Sequence, residues 1–118
     1  MSLWDRMRGG AAGGGVRRTA SAGDSAHLMA WTRARVGVEA FVEPRTMVTE
    51  TTVLLVAKDG EWTRRRVDGP SAARKLARSL GIPIYDVQLL GYPQRMRDYD
   101  ARQRVLRDRD RRRELGAP

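Results

Sequence analysis

Two hydrophobic runs separated by a short polar turn dominate the middle of the chain. Residues 47–57 are rich in β-branched and aliphatic side chains, and a second β-prone run covers residues 62–67. Asp59-Gly60 between them favours a type I′ turn, because both central positions of that turn require positive φ. The sequence therefore predicts a β-hairpin with a two-residue loop, in which Ala57 faces Trp62 across the strands.

A helix and a third strand are predicted to follow the hairpin. Residues 68–81 have Pro70 in the expected first turn and Gly81 at the expected end. Four residues recur at helical spacing and form one apolar face: Ala73, Leu76, Ala77 and Leu80. Residues 82–90 then predict a strand. Residues 44–93 are therefore expected to form a ββαβ core.

The remaining segments flank this core. Residues 1–24 are Gly- and Arg-rich and are predicted to be a disordered arm, because they hold too few apolar side chains to offset their chain entropy. Residues 25–43 are an ambiguous helix/strand segment: a short helix could start near Ser25 and is interrupted at Gly37, after which the alternation favours a short strand that Pro44 ends. Residues 94–118 predict a basic C-terminal helix and tail. The expected fold class is α+β.

The predicted sheet has more apolar surface than one helix can cover. Strand 47–57 carries apolar side chains on both faces, and a large exposed apolar patch is unusual on a monomeric protein. The second face is expected to be covered by the C-terminal helix, by the N-terminal segment or by a second protein, including a second copy of the chain. The candidate partner interface consists of Val53, Leu55, Trp62, Met96 and Tyr99.

The charge of the chain points to polyanionic partners. It has 23 basic and 14 acidic residues, a formal net charge of +9, and all but two of the basic residues are arginine. Such a surface attracts polyanions. Arginine excess with little lysine is also typical of GC-rich coding, so a merely solvated surface is the alternative interpretation.

Three groups of basic residues are candidates for contact with RNA or DNA phosphates. They lie on the second hairpin strand, on the predicted helix and in the tail: Arg64 and Arg66; Arg74, Lys75 and Arg78; and Arg109, Arg111, Arg112 and Arg113. Trp62 shares a face with Arg64 and Arg66, which suits base stacking. Packing is the favoured role for Trp62, because burying an indole is so favourable.

The sequence offers no residues for several classes of chemistry. It contains no cysteine and one histidine, which excludes thiolate metal sites and multi-histidine sites. It shows no nucleotide-binding fingerprint and no nucleophile motif. We therefore expect a non-enzymatic, cytoplasmic protein without catalytic residues, metal, cofactor, small-molecule substrate or membrane contact. Association with nucleic acid or ribonucleoprotein is the favoured function, and a protein-interaction module is the alternative.

Part of the chain resembles a known family. The resemblance lies in PRTMVTET (44–51) through WTRRR (62–66) and in GIPIYDVQ (81–88) through YPQRMRDY (92–99). These stretches are similar to short, uncharacterised basic proteins from high-GC bacteria. The family has no established activity, so the resemblance implies no site residues; it covers roughly residues 44–99.

Overall fold

The computed structural model describes residues 22–116, which form a four-stranded mixed sheet with helices on both faces. The elements are α1 (Ala22–Arg33), β1 (Glu39–Glu43), β2 (Thr52–Val56), β3 (Trp62–Arg66), α2 (Gly69–Leu80), β4 (Ile84–Asp86), α3 (Val87–Leu90) and α4 (Gln94–Glu114). The sheet order is β3-β2-β1-β4, with β1 antiparallel to β2 and parallel to β4. The predicted α+β class is confirmed.

The predicted disordered arm lies almost wholly outside the described residues. Its last three residues, 22–24, begin α1, so this helix starts earlier than the position near Ser25 that the sequence favoured. The ambiguous segment contains both of the predicted structures, a helix followed by a strand. Its strand, β1, is a central strand of the sheet, because β2 and β4 both pair with it.

Helices α1 and α2 cover one face of the sheet. Leu28 and Trp31 of α1 and Ala73 and Ala77 of α2 are buried there in one cluster, which also includes the strand residues Ala40, Val53 and Leu55. The predicted apolar face of α2 therefore forms part of the main core. Its end at Gly81 is also confirmed, since Gly81 adopts the left-handed conformation with φ of 69°.

Helix α4 covers the opposite face over its first turns. Met96 packs there against Phe41, Leu54 and Val56, with Trp62 and Tyr85 at the margin of the cluster. Both sheet faces are thus covered within the described chain. Of the three covers expected for the second face, the C-terminal helix is the one found there, whereas α1 of the N-terminal segment packs on the first face beside α2.

The hairpin register differs from the prediction by one residue. Val56 pairs with Trp62, whereas the sequence favoured Ala57. The loop has three residues, because the Ala57 amide donates to the Glu61 carbonyl at 2.8 Å. Gly60 lies within the tight turn of this loop and has φ of 96°. The Asp59 carboxylate accepts a hydrogen bond from the Glu61 amide at 3.0 Å and stabilises this turn.

Two predicted strands are shorter than expected. Strand β2 begins at Thr52, so residues 47–51 form a loop, and β4 ends at Asp86. The Asp86 side chain accepts from the Gln88 amide at 2.7 Å and caps α3. This local hydrogen bond turns residues 87–90 into a helical turn where the apolar alternation predicted a strand.

Candidate nucleic-acid interface

The basic residues of α2 lie where the sequence placed them. Arg74, Lys75 and Arg78 are exposed, on the side of α2 opposite Ala73 and Ala77, which are buried. Helix α2 therefore presents a cationic outer surface that its packing does not require.

The basic residues of the tail belong to a helix that extends away from the sheet. The docked part of α4 reaches Arg102, which donates to the Asp59 carbonyl at 3.0 Å. Every residue from Arg104 to Leu115 is exposed. Residues 104–113, here called the free segment of α4, contain six arginines and two aspartates. Arg109, Arg111, Arg112 and Arg113 all lie in this segment.

Ion pairs within the free segment are sparse and exposed. Two pairs are present, each between residues three positions apart: Arg111 with Asp108 at 3.4 Å and Arg113 with Asp110 at 3.6 Å. Exposed pairs of this kind contribute little to stability. Their arginines are therefore available to an incoming anion.

Two of the three β3 arginines are engaged within the protein. Arg64 donates to both carboxylate oxygens of Glu43, at 2.6 and 2.9 Å, and its guanidinium carbon lies 5.2 Å from the centre of the Trp62 ring. Arg65 lies 3.6 Å from Asp24. The sequence could not show these pairings, because the partner of Arg64 is 21 residues away and that of Arg65 is on α1.

Glu43 is the buried centre of a polar cluster on the α4 side of the sheet. It also accepts hydrogen bonds from the hydroxyls of Thr52 and Tyr92. Burial by itself would raise the pKa of Glu43, but the hydrogen bonds from Arg64, Tyr92 and Thr52 outweigh burial and hold this pKa below its ordinary value. Ionised Glu43 therefore stabilises the folded state.

Glu43→Gln is expected to lower the free energy of unfolding by about 1–2 kcal/mol at pH 7, because charge-assisted hydrogen bonds are lost. A carboxyl whose folded pKa is depressed stabilises the protein fully above its unfolded pKa of about 4.3, and this contribution disappears as the pH falls through the folded value. Urea unfolding measured between pH 7 and pH 3 should thus show that the difference in free energy of unfolding between Glu43→Gln and wild type becomes smaller as the pH falls. Glu114→Gln on the exposed helix end is the control and should unfold like wild type. A difference in unfolding free energy that stays the same at every pH would contradict the stabilising role of ionised Glu43.

The predicted partner interface is occupied by the protein itself. Val53 and Leu55 are buried under α1 and α2, whereas Met96 of α4 is buried against the opposite face of the sheet. Trp62 is half-buried, and its indole N–H donates to the Asp100 carboxylate at 2.8 Å. Tyr99 is also half-buried, beside Gly60. These five residues therefore hold helices on the sheet and leave little apolar surface for a partner.

An open groove lies at the Arg66 end of β3. It has a volume of about 700 Å³ and is lined by Asp24, Val48, Thr49, Glu50, Thr52, Arg64, Arg65 and Arg66. The Nη1 atom of Arg66 is buried and has no hydrogen-bond partner in the described structure. Arg64 and Arg66 were candidates from sequence, but the groove itself depends on the loop at residues 47–51, which the sequence predicted to be a strand.

The single histidine takes part in a structural contact. The Nε2 atom of His27 lies 2.7 Å from the Thr63 hydroxyl, which joins α1 to β3. Burial is the main cause that lowers the pKa of His27, and Arg65 adds to it. Among residues 22–116, no three metal-ligating side chains come together, and no helix has the length and apolar character to cross a membrane.

Comparison with known proteins returned no relative. No family model, no curated protein and no solved structure matches this chain.

Proposed function

We propose that this protein binds nucleic acid through arginine–phosphate contacts made by the free segment of α4. The observation that carries the proposal is a fully exposed stretch of continuous helix with six arginines against two aspartates. Exposed Arg74, Lys75 and Arg78 on α2 extend the cationic surface. The proposal includes a cytoplasmic location and a binding role without catalysis.

The shape of the free segment suits a nucleic-acid groove. Ten helical residues span about 15 Å, and a helix with its side chains is roughly 10–12 Å across, close to the width of the B-DNA major groove. Guanidinium groups form paired hydrogen bonds with phosphate oxygens. Because the helix continues without a break into its docked turns, little ordering entropy is lost when these arginines bind.

The alternative function, an interaction module that uses the apolar sheet face, has less support. Helices of the same chain cover both faces of the sheet. The candidate interface residues are therefore engaged in folding, whereas the basic residues of α2 and of the free segment are exposed.

Neutralising Arg109 and Arg112 together is expected to weaken duplex binding and to flatten its salt dependence. Each phosphate contact contributes about 0.9 to the slope of log affinity against log salt, so Arg109→Gln with Arg112→Gln should reduce that slope by about 2. Fluorescence anisotropy with a labelled duplex at several salt concentrations measures this slope. Arg74→Gln with Arg78→Gln tests in the same way whether the duplex also reaches α2.

The matched control is Arg33→Gln with Arg45→Gln, two exposed arginines that lie outside α2 and the free segment. This variant loses the same net charge and should keep the wild-type slope. Equal slopes for all variants would contradict the proposed contact surface. Absence of binding by the wild-type protein at low salt would contradict the function itself.

A further inference from the structure

We propose that the groove at the Arg66 end of β3 is a phosphate-binding site in which the Arg66 guanidinium is the principal donor. The inference is separate from the duplex contact of α4, because α4 packs beside Trp62, at the other end of the same strand. The ligand class is a phosphoryl group, either on a small molecule such as a nucleotide or pyrophosphate or in the backbone of a nucleic-acid strand.

Arg66 is the groove arginine with a buried nitrogen, Nη1, that has no hydrogen-bond partner in the described structure. Arg64 is held by both oxygens of Glu43, and Arg65 lies beside Asp24. The Thr52 hydroxyl is also engaged, since it donates to Glu43 at 2.7 Å. By contrast, Nη1 of Arg66 is buried without an acceptor. The groove therefore contains one strong donor that the protein itself leaves unused.

Leaving this donor unused is costly to the folded protein. Buried polar groups in proteins nearly always have partners, and an unsatisfied one calls for a specific explanation. A ligand that brings oxygen acceptors to this guanidinium removes the penalty. Phosphate suits the role, because its several acceptor oxygens match the planar donor fork of arginine and its negative charge is attracted by the basic protein.

The loop that contributes Val48 and Thr49 to the groove is held in place by its own hydrogen bonds. The Thr46 amide donates to the Thr49 carbonyl at 2.9 Å, and the Thr46 hydroxyl accepts from the amides of Val48 and Thr49 at 3.2 and 3.0 Å. These bonds fix the turn that positions Val48 and Thr49 on the rim. A preformed site of about 700 Å³ lies within the size range of small-molecule pockets.

The site can be tested by thermal unfolding in the presence of pyrophosphate and, separately, of a short oligothymidylate, with ionic strength matched by sodium chloride. We expect pyrophosphate, the oligonucleotide or both to raise the Tm of the wild-type protein by about 4 °C or more at saturation. Without ligand, Arg66→Met should melt at or above the wild-type temperature, because a buried unpaired donor is gone. With ligand, its Tm should not show the increase seen in the wild-type protein. Arg33→Met loses the same charge elsewhere and should keep it.

The two ligands distinguish the source of the phosphate. An increase in Tm with pyrophosphate indicates a small phosphorylated ligand, and an increase with the oligonucleotide alone indicates the backbone of a nucleic-acid strand. Either increase supports the site if Arg66→Met abolishes that increase. The inference is overturned if neither ligand produces a rise in the wild-type Tm that Arg66→Met reduces. Pyrophosphate binding together with no duplex binding would refute the proposed function of α4 and leave the groove site standing.

Discussion

Gly60→Ala is expected to destabilise the protein far more than the same change at Gly81. Both glycines have positive φ, of 96° and 69°, so an added Cβ costs about 1 kcal/mol at either position. At Gly60, however, that Cβ would lie 2.0 Å from the Arg95 carbonyl oxygen and 2.9 Å from the Tyr99 Cβ. The first turns of α4 must then move away from the β2–β3 loop, which adds about 1–3 kcal/mol.

Gly81→Ala is the matched control for this experiment, because nothing lies within 4 Å of its Cβ position. Denaturant unfolding of the two variants isolates the docking of α4 from the cost of the backbone conformation. Displacement of α4 should also disturb the hydrogen bond between Trp62 and Asp100, so tryptophan fluorescence should change in the native Gly60→Ala protein alone. Equal losses of stability at the two positions would show that α4 does not pack tightly on the loop.

The same contact explains why the hairpin register could not be derived from its own residues. Asp59-Gly60 carries a strong local signal for a turn, and a turn with Gly60 at positive φ is present. Its length is set by the Asp59 side chain and by the approach of Gly60 to Arg95, which is 35 positions further along the chain. A shift of one position then places Trp62 opposite Val56 instead of opposite Ala57.

The accuracy of the other predictions follows the same division between local and distant interactions. Helix α2 could be predicted almost to its ends, because its apolar spacing, Pro70 and Gly81 are signals within a few residues. The central position of β1 depends on pairing with two distant strands. The exposure of Arg74 and Arg78 followed from the apolar face of their own helix, whereas the engagement of Arg64 by Glu43 required the folded sheet.

Trp62→Ala is expected to lower the free energy of unfolding by about 3 kcal/mol, at the lower end of the range for removing a large aromatic residue from a core, because the indole is only half-buried. The change removes packing against the cluster formed by Phe41, Leu54, Val56 and Met96. It also leaves the Asp100 carboxylate without the indole N–H that lies 2.8 Å away. Urea unfolding followed by circular dichroism measures the loss without depending on the tryptophan signal.

Trp62→Phe separates the two contributions, since it keeps an aromatic ring but loses the N–H donor, and it should cost about 1 kcal/mol. The pair of variants also decides between the two roles that the sequence left open for this side chain. If Trp62 stacked on bases, Trp62→Ala would leave stability nearly intact and cost about 1–3 kcal/mol of binding. Because the ring packs beside α4 and donates to it, we expect the opposite result: a clear loss of stability and, at temperatures where the variant is folded, duplex affinity close to that of wild type.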